Sequence, residues 1–74
     1  MAIEFIDTLG MRSPETILEI AVRSPDMRSG DILQVLGDCP TFEEDVRAWC
    51  ERLGKMPSST KSLGLNKKQI QIRF

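Results

Sequence analysis

Apolar and polar residues alternate at the start of the chain, give way twice to helical spacing, and alternate again at the end. Ile3 to Asp7 reads as a strand, with Ile3 and Phe5 on one side and Glu4 and Ile6 on the other. Leu9-Gly10 begins a loop, where Gly10 can take backbone angles that other residues avoid. A first helix is expected from Pro14, because Ser13 is a favoured N-cap and proline suits the first helical position. Ile17, Leu18, Ala21 and Val22 would form its apolar stripe. Glu15 and Glu19 lie where the helix dipole favours negative charge, and Pro25 ends the helix or follows its end.

Gly30-Asp31 reads as a turn, and Ile32 to Leu36 as a short apolar strand, either central or buried on both faces. Gly37-Asp38-Cys39-Pro40 breaks that run. The second helix is expected from about Thr41 to Leu53, with a Thr41/Glu44 capping box. Its apolar face holds Phe42, Val46, Trp49, Cys50 and Leu53, and Gly54 is placed to close it. Lys55 to Leu63 contains Pro57 and a cluster of serine and threonine, and fits a poor edge strand or a loop equally. After a turn at Gly64-Leu65-Asn66-Lys67, Lys68 to Phe74 alternates, with Ile70, Ile72 and Phe74 on one face. The expected fold is an α/β two-layer sandwich in the order β-α-β-α-β-β, two helices packed on one face of a four-stranded mixed sheet.

Composition narrows the function classes. Seventy-four residues make a single domain, 1–74, near the lower size at which one core holds. With 10 basic and 11 acidic residues the net charge is −1, so direct nucleic-acid binding is not expected. No apolar run approaches the roughly 20 residues that span a bilayer, so no membrane partner is expected. Met1 leads straight into the strand pattern, which argues against a signal peptide and for a cytoplasmic protein. A monomer is expected. The cysteines are Cys39 and Cys50, and there is no histidine. That excludes the usual Cys/His zinc site and any histidine-dependent triad, so no metal and no cofactor is expected. A cytosolic Cys39–Cys50 disulfide is disfavoured by compartment.

One run carries more chemistry than the rest. Asp7-Thr8-Leu9-Gly10-Met11-Arg12-Ser13-Pro14-Glu15-Thr16 joins the first strand to the first helix. It resembles the Asp-x-x-Gly-x-x-Cys-Pro-x-Pro signature of the small sulfur carriers called TusA, SirA or YedF, with Ser13 at the cysteine and Thr16 at the second proline. The resemblance continues through Gly30-Asp31-x-Leu33-x-Val35, Asp38-Cys39-Pro40, Asp45-Val46-x-x-Trp49, Gly54 and Ile70-x-Ile72, and is weakest from Met56 to Asn66. It implies a fold similar to the C-terminal domain of bacterial translation initiation factor three. It also implies a sulfur relay, in which a cysteine at the helix start takes persulfide sulfur from a cysteine desulfurase or rhodanese-like donor and passes it to a downstream acceptor protein. A thiol there would face free N–H groups and the positive dipole end, which stabilise thiolate and persulfide.

Ser13 therefore marks the expected transfer position, yet its hydroxyl cannot form a persulfide and has no histidine to activate it. It serves equally as a plain N-cap. Thr16 in place of proline favours natural divergence of the motif over a single replacement. Arg12 would offer positive charge to a sulfur anion or an acidic partner, or would simply be a solvated arginine. Asp7, Gly10, Pro14 and Asp38 are expected to shape the loops. Cys39 precedes Pro40 at the start of the second helix, partly imitates the missing motif, and is an alternative thiol; the plainer reading is an inert, partly buried residue. Cys50 belongs to the core. The chain thus reads as a sulfur-carrier domain unable to transfer through Ser13. The alternative is a protein-binding or regulatory module that kept the fold and lost the thiol.

Overall fold

The computed structural model describes residues 2–74, in the order β1 (Ile3–Asp7), α1 (Glu15–Arg23), β2 (Ile32–Gly37), α2 (Phe42–Leu53), β3 (Met56–Pro57), β4 (Lys61–Gly64) and β5 (Lys67–Arg73). β1 pairs parallel to β2, β2 antiparallel to β5, and both β3 and β4 lie antiparallel along the far edge of β5. The expected third strand is therefore two pieces, and the sheet has five strands rather than four. The break has a local cause. Ser58 donates its N–H to the Gln71 carbonyl at 2.8 Å, and its hydroxyl accepts the Gln71 N–H at 3.0 Å. One residue thus satisfies the ladder while the chain bends away. Arg47 of α2 holds the bend, donating to the Ser58 carbonyl at 2.8 Å and the Thr60 hydroxyl at 3.3 Å.

Register sets the core. Ile6, Val35 and Ile70 pair across three strands, with Leu33 and Ile72 beside them on the same face. Ile20, Phe42, Val46, Trp49 and Cys50 of the helices close over that face to make one buried cluster. β2 is central but buried on one face only, since its residues alternate between buried and half-buried. On the other face Ile3 and Phe5 are exposed. Phe74 packs edge-on to Trp49, with ring centroids 6.4 Å apart.

The first helix departs from expectation in two ways. Ser13 is not its N-cap: the Arg12 carbonyl accepts the Glu15 N–H at 2.7 Å, closing a turn over Ser13 and Pro14, and Pro14 takes the cap position without a side-chain bond. The Ser13–Pro14 peptide bond is cis. The buried arc is Thr16 and Ile20 with Ile17 partly covered, while Leu18, Ala21 and Val22 face outward. A helix over an edge strand needs only a narrow apolar stripe, and here a threonine supplies half of it. Thr16 Oγ1 is buried without a hydrogen-bond partner. Thr16→Val should therefore raise stability by about 1 kcal/mol, read as a higher urea midpoint at unchanged slope.

α2 follows its expected face except at Leu53, which is half exposed at the helix end. Its capping box does not form. Thr41 stands at the N-cap, but its hydroxyl donates to Asp45 Oδ2 at 2.8 Å instead of bonding back to the helix amides. Gly54 closes the helix in the left-handed conformation, at φ 71°.

Candidate functional site

Three chain breaks converge at one end of the sheet: the β1–α1 loop, the β2–α2 loop and the β4–β5 turn. Thr8 ties the first two together. It is fully buried, and both its N–H and its hydroxyl donate to the Leu36 carbonyl, at 2.8 and 2.7 Å. Asp7 Oδ1 accepts the Leu9 N–H at 2.9 Å and so turns the chain out of β1. Asp38 Oδ1 accepts the Gly10 N–H at 3.0 Å and meets Arg12 Nη1 at 3.3 Å. The Arg12–Asp38 pair is a surface bridge, worth no more than about 1 kcal/mol. Arg12 remains 62% exposed, so its charge is available to a visitor. Gly10 sits at φ +83°, where the backbone favours glycine.

Ser13 and Cys39 open to different sides of this junction. Ser13 is exposed and lines an open groove of about 540 Å³ between the helices, with Pro14 and Ile17 on one wall and Asp45, Ala48, Glu51 and Arg52 on the other. Among the described residues its hydroxyl has no hydrogen-bond partner. Cys39 lies on the other side, in a cleft of about 420 Å³ bounded by Arg12, Asp38, Pro40, Asn66 and Lys68. Its residue is 5% exposed, and both cysteines are free thiols.

The two positions communicate through the backbone. The Thr41 hydroxyl, 3.5 Å from Cys39 Sγ, pulls the thiol below its ordinary pKa, and the N–H groups of Thr41 and Ser13 pull the same way. Burial and the Asp45 charge oppose them. Thr41 has one proton for two acceptors. While it donates to Asp45, Cys39 must be the donor in its own contact; the thiolate gains that proton only by taking it from Asp45. Asp45→Asn weakens the competitor and removes the opposing charge. It should move the alkylation midpoint of Cys39 to lower pH, and Thr41→Val should move it higher, as followed by mass mapping of iodoacetamide labelling across pH. Cys50, in contrast, is pushed up by burial.

Sequence reasoning missed the tie made by Thr8, the burial of Thr16, the Thr41–Asp45 couple and the approach of Asn66 and Lys68. The signal for Thr41 and Asp45 was their four-residue spacing at a helix start. For Asn66 and Lys68 there was none, because the β4–β5 turn reaches the site only in three dimensions. Among the described residues no group of three or more potential metal ligands is found, and no helix is long and apolar enough to cross a membrane.

The chain is a two-layer α/β domain with a tight turn at the start of its first helix, beside an exposed charged loop. The family model described as sulfurtransferase TusA matches residues 4–63, and the chain belongs to that family. The match takes in both loops of the site and α2, and stops before β5.

Proposed function

We propose that this chain works in sulfur relay as a docking form of the carrier. It receives a donor, such as a cysteine desulfurase or a rhodanese-like protein, or an acceptor, around Arg12 and Ser13, and position 13 itself holds no sulfur. The observation that carries this reading is Ser13: an exposed hydroxyl, without a hydrogen-bonding base, at the position that the sequence resemblance gives to cysteine. Serine can neither form a persulfide nor ionise near neutral pH, and no histidine exists to deprotonate it. The loop around it is braced by Asp7, Gly10 and Asp38 independently of the hydroxyl, so the docking surface survives the loss of the thiol.

A second reading places the sulfur on Cys39. Its support is the lowered pKa of that thiol and the Ser13 amide beside it. Against it stands its burial, since a donor persulfide must reach the sulfur in line.

Intact mass after incubation with a cysteine desulfurase and cysteine separates the readings. The docking form predicts no sulfur on the natural chain and one sulfur atom on Ser13→Cys. Sulfur on the natural chain that disappears in Cys39→Ser would transfer the role to Cys39. Co-sedimentation or calorimetry with the same desulfurase tests docking directly, and Arg12→Glu should weaken it.

A further inference from the structure

The two edges of the sheet are built differently. The β3–β4 edge is broken, carries Pro57, has a register shift between Ser62 and Gly64, and presents Lys61. These are the devices by which natural sheets refuse another strand. The β1 edge has none of them. It is five regular residues without lysine, proline or bulge, and it stands at the end of the strand order. Two of its three open-face side chains are apolar and uncovered, Ile3 at 52% and Phe5 at 67% exposure, and the third is the exposed Asp7.

The backbone fixes what would fit. Ala2 offers its carbonyl, and Thr8 its N–H, to β2. By the alternation of a parallel ladder, Glu4 and Ile6 also point their backbone groups inward, while Ile3, Phe5 and Asp7 point theirs to the free edge. We propose that a second copy of this chain fills this edge, β1 pairing antiparallel with β1 about a twofold axis at Phe5.

That register is self-consistent at each level. It makes Phe5–Phe5 and the two Ile3–Asp7 pairs the hydrogen-bonded ones, so every outward backbone group of β1 is used. Glu4 meets Ile6, so no like charges stand opposite each other. Centring the axis on Glu4 would put two carboxylates together, and centring it on Ile6 would leave Ile3 unpaired. Each residue meets one of the same parity, which keeps both helix layers on one side of the joined sheet. α1 lies above β1, where Arg23 bridges to Glu4 at 3.2 Å. The same axis therefore runs the two α1 helices antiparallel. Glu19 and Arg23, one turn apart on that flank, then meet their copies with opposite sign, around the exposed Val22. The Ser13 loops emerge at opposite ends of the joined sheet, and both stay open.

Sedimentation velocity of the full chain, from low micromolar to several hundred micromolar, should show a monomer–dimer equilibrium. Phe5→Lys sets like charges together on the axis and should give monomer at every concentration, while Met56→Lys on the opposite edge should leave the dimer. Circular dichroism confirms that each variant is folded, which the exposure of Phe5 permits. Register has its own readout. The paired Cα atoms at the axis would be about 5.5 Å apart, within disulfide range. Mild oxidation should therefore link Phe5→Cys into a dimer through that position by peptide mapping, and should not link Glu4→Cys. A natural chain that stays monomeric throughout overturns the proposal. So does a dimer indifferent to Phe5→Lys, or crosslinking through Met56→Cys in place of Phe5→Cys.

Discussion

Ser13→Cys should take up one sulfur atom per molecule from a persulfide donor, where the unchanged chain is expected to take up none. The chemistry balances without an oxidant. The introduced thiolate attacks the terminal sulfur of the donor persulfide, a new S–S bond forms, the donor's own S–S bond breaks, and the donor leaves as its thiolate. The fold should not notice the change. The Ser13 hydroxyl makes no hydrogen bond among the described residues and is exposed, so stability should stay within about 0.5 kcal/mol. The new thiol would also be much more open than the two native ones: Cys39 is 5% and Cys50 0% exposed. Iodoacetamide should accordingly label position 13 faster than either native cysteine by more than about tenfold at neutral pH. Equal labelling of Cys39 would mean that the cleft opens in solution, and would strengthen the reading that puts sulfur there.

Phe42→Ala should leave the chain largely unfolded at 25 °C. Phe42 is fully buried at the first position of α2, beneath the β2–α2 loop. Removing a buried phenyl group costs roughly 3–5 kcal/mol, which is about what one core supplies in a domain of this size. Gly37 shows how tightly that ring is held. A Cβ at Gly37 would run into the Phe42 ring and come within 2.9 Å of Thr8 Oγ1. Gly37→Ala should therefore cost roughly 1–3 kcal/mol by overpacking rather than by a cavity. Urea unfolding followed by Trp49 fluorescence tests both. A loss below about 1 kcal/mol for Phe42→Ala would mean that the core re-closes over the gap. Because Thr8 Oγ1 lies against Gly37 beside this ring and the Cys39 carbonyl accepts the Phe42 N–H at 2.9 Å, either variant should also disturb the candidate site.

The fold was largely legible because its two periods are strong. The strict alternation at Ile70 and Ile72 fitted a sheet packed on one side, while the apolar run from Ile32 to Leu36 fitted a central strand or one buried on both faces, and the structure makes it central with one face buried. Phe42, Val46, Trp49 and Cys50 could serve only a helix lying on it. The motif from Asp7 to Thr16, with Ser13 at the position that the resemblance gives to cysteine, was equally plain in the residues, as was the lack of any histidine. Other features were settled only by tertiary structure. The helix cap moved from Ser13 to Pro14 because the Arg12–Glu15 turn intervenes. The capping box at Thr41 lost to a bond with Asp45, because one hydroxyl proton serves one acceptor. α1 turned Thr16 inward and Leu18 and Val22 outward, because one buried flank suffices for a helix above an edge strand. Ser13 and Cys39, 26 residues apart by their numbering, became neighbours facing opposite clefts because β1 and β2 pair side by side. Periodicity along a chain determines which residues seek a core. Which of them reach it, and which side chains meet at a site, depends on competition among neighbours that only the folded chain brings together.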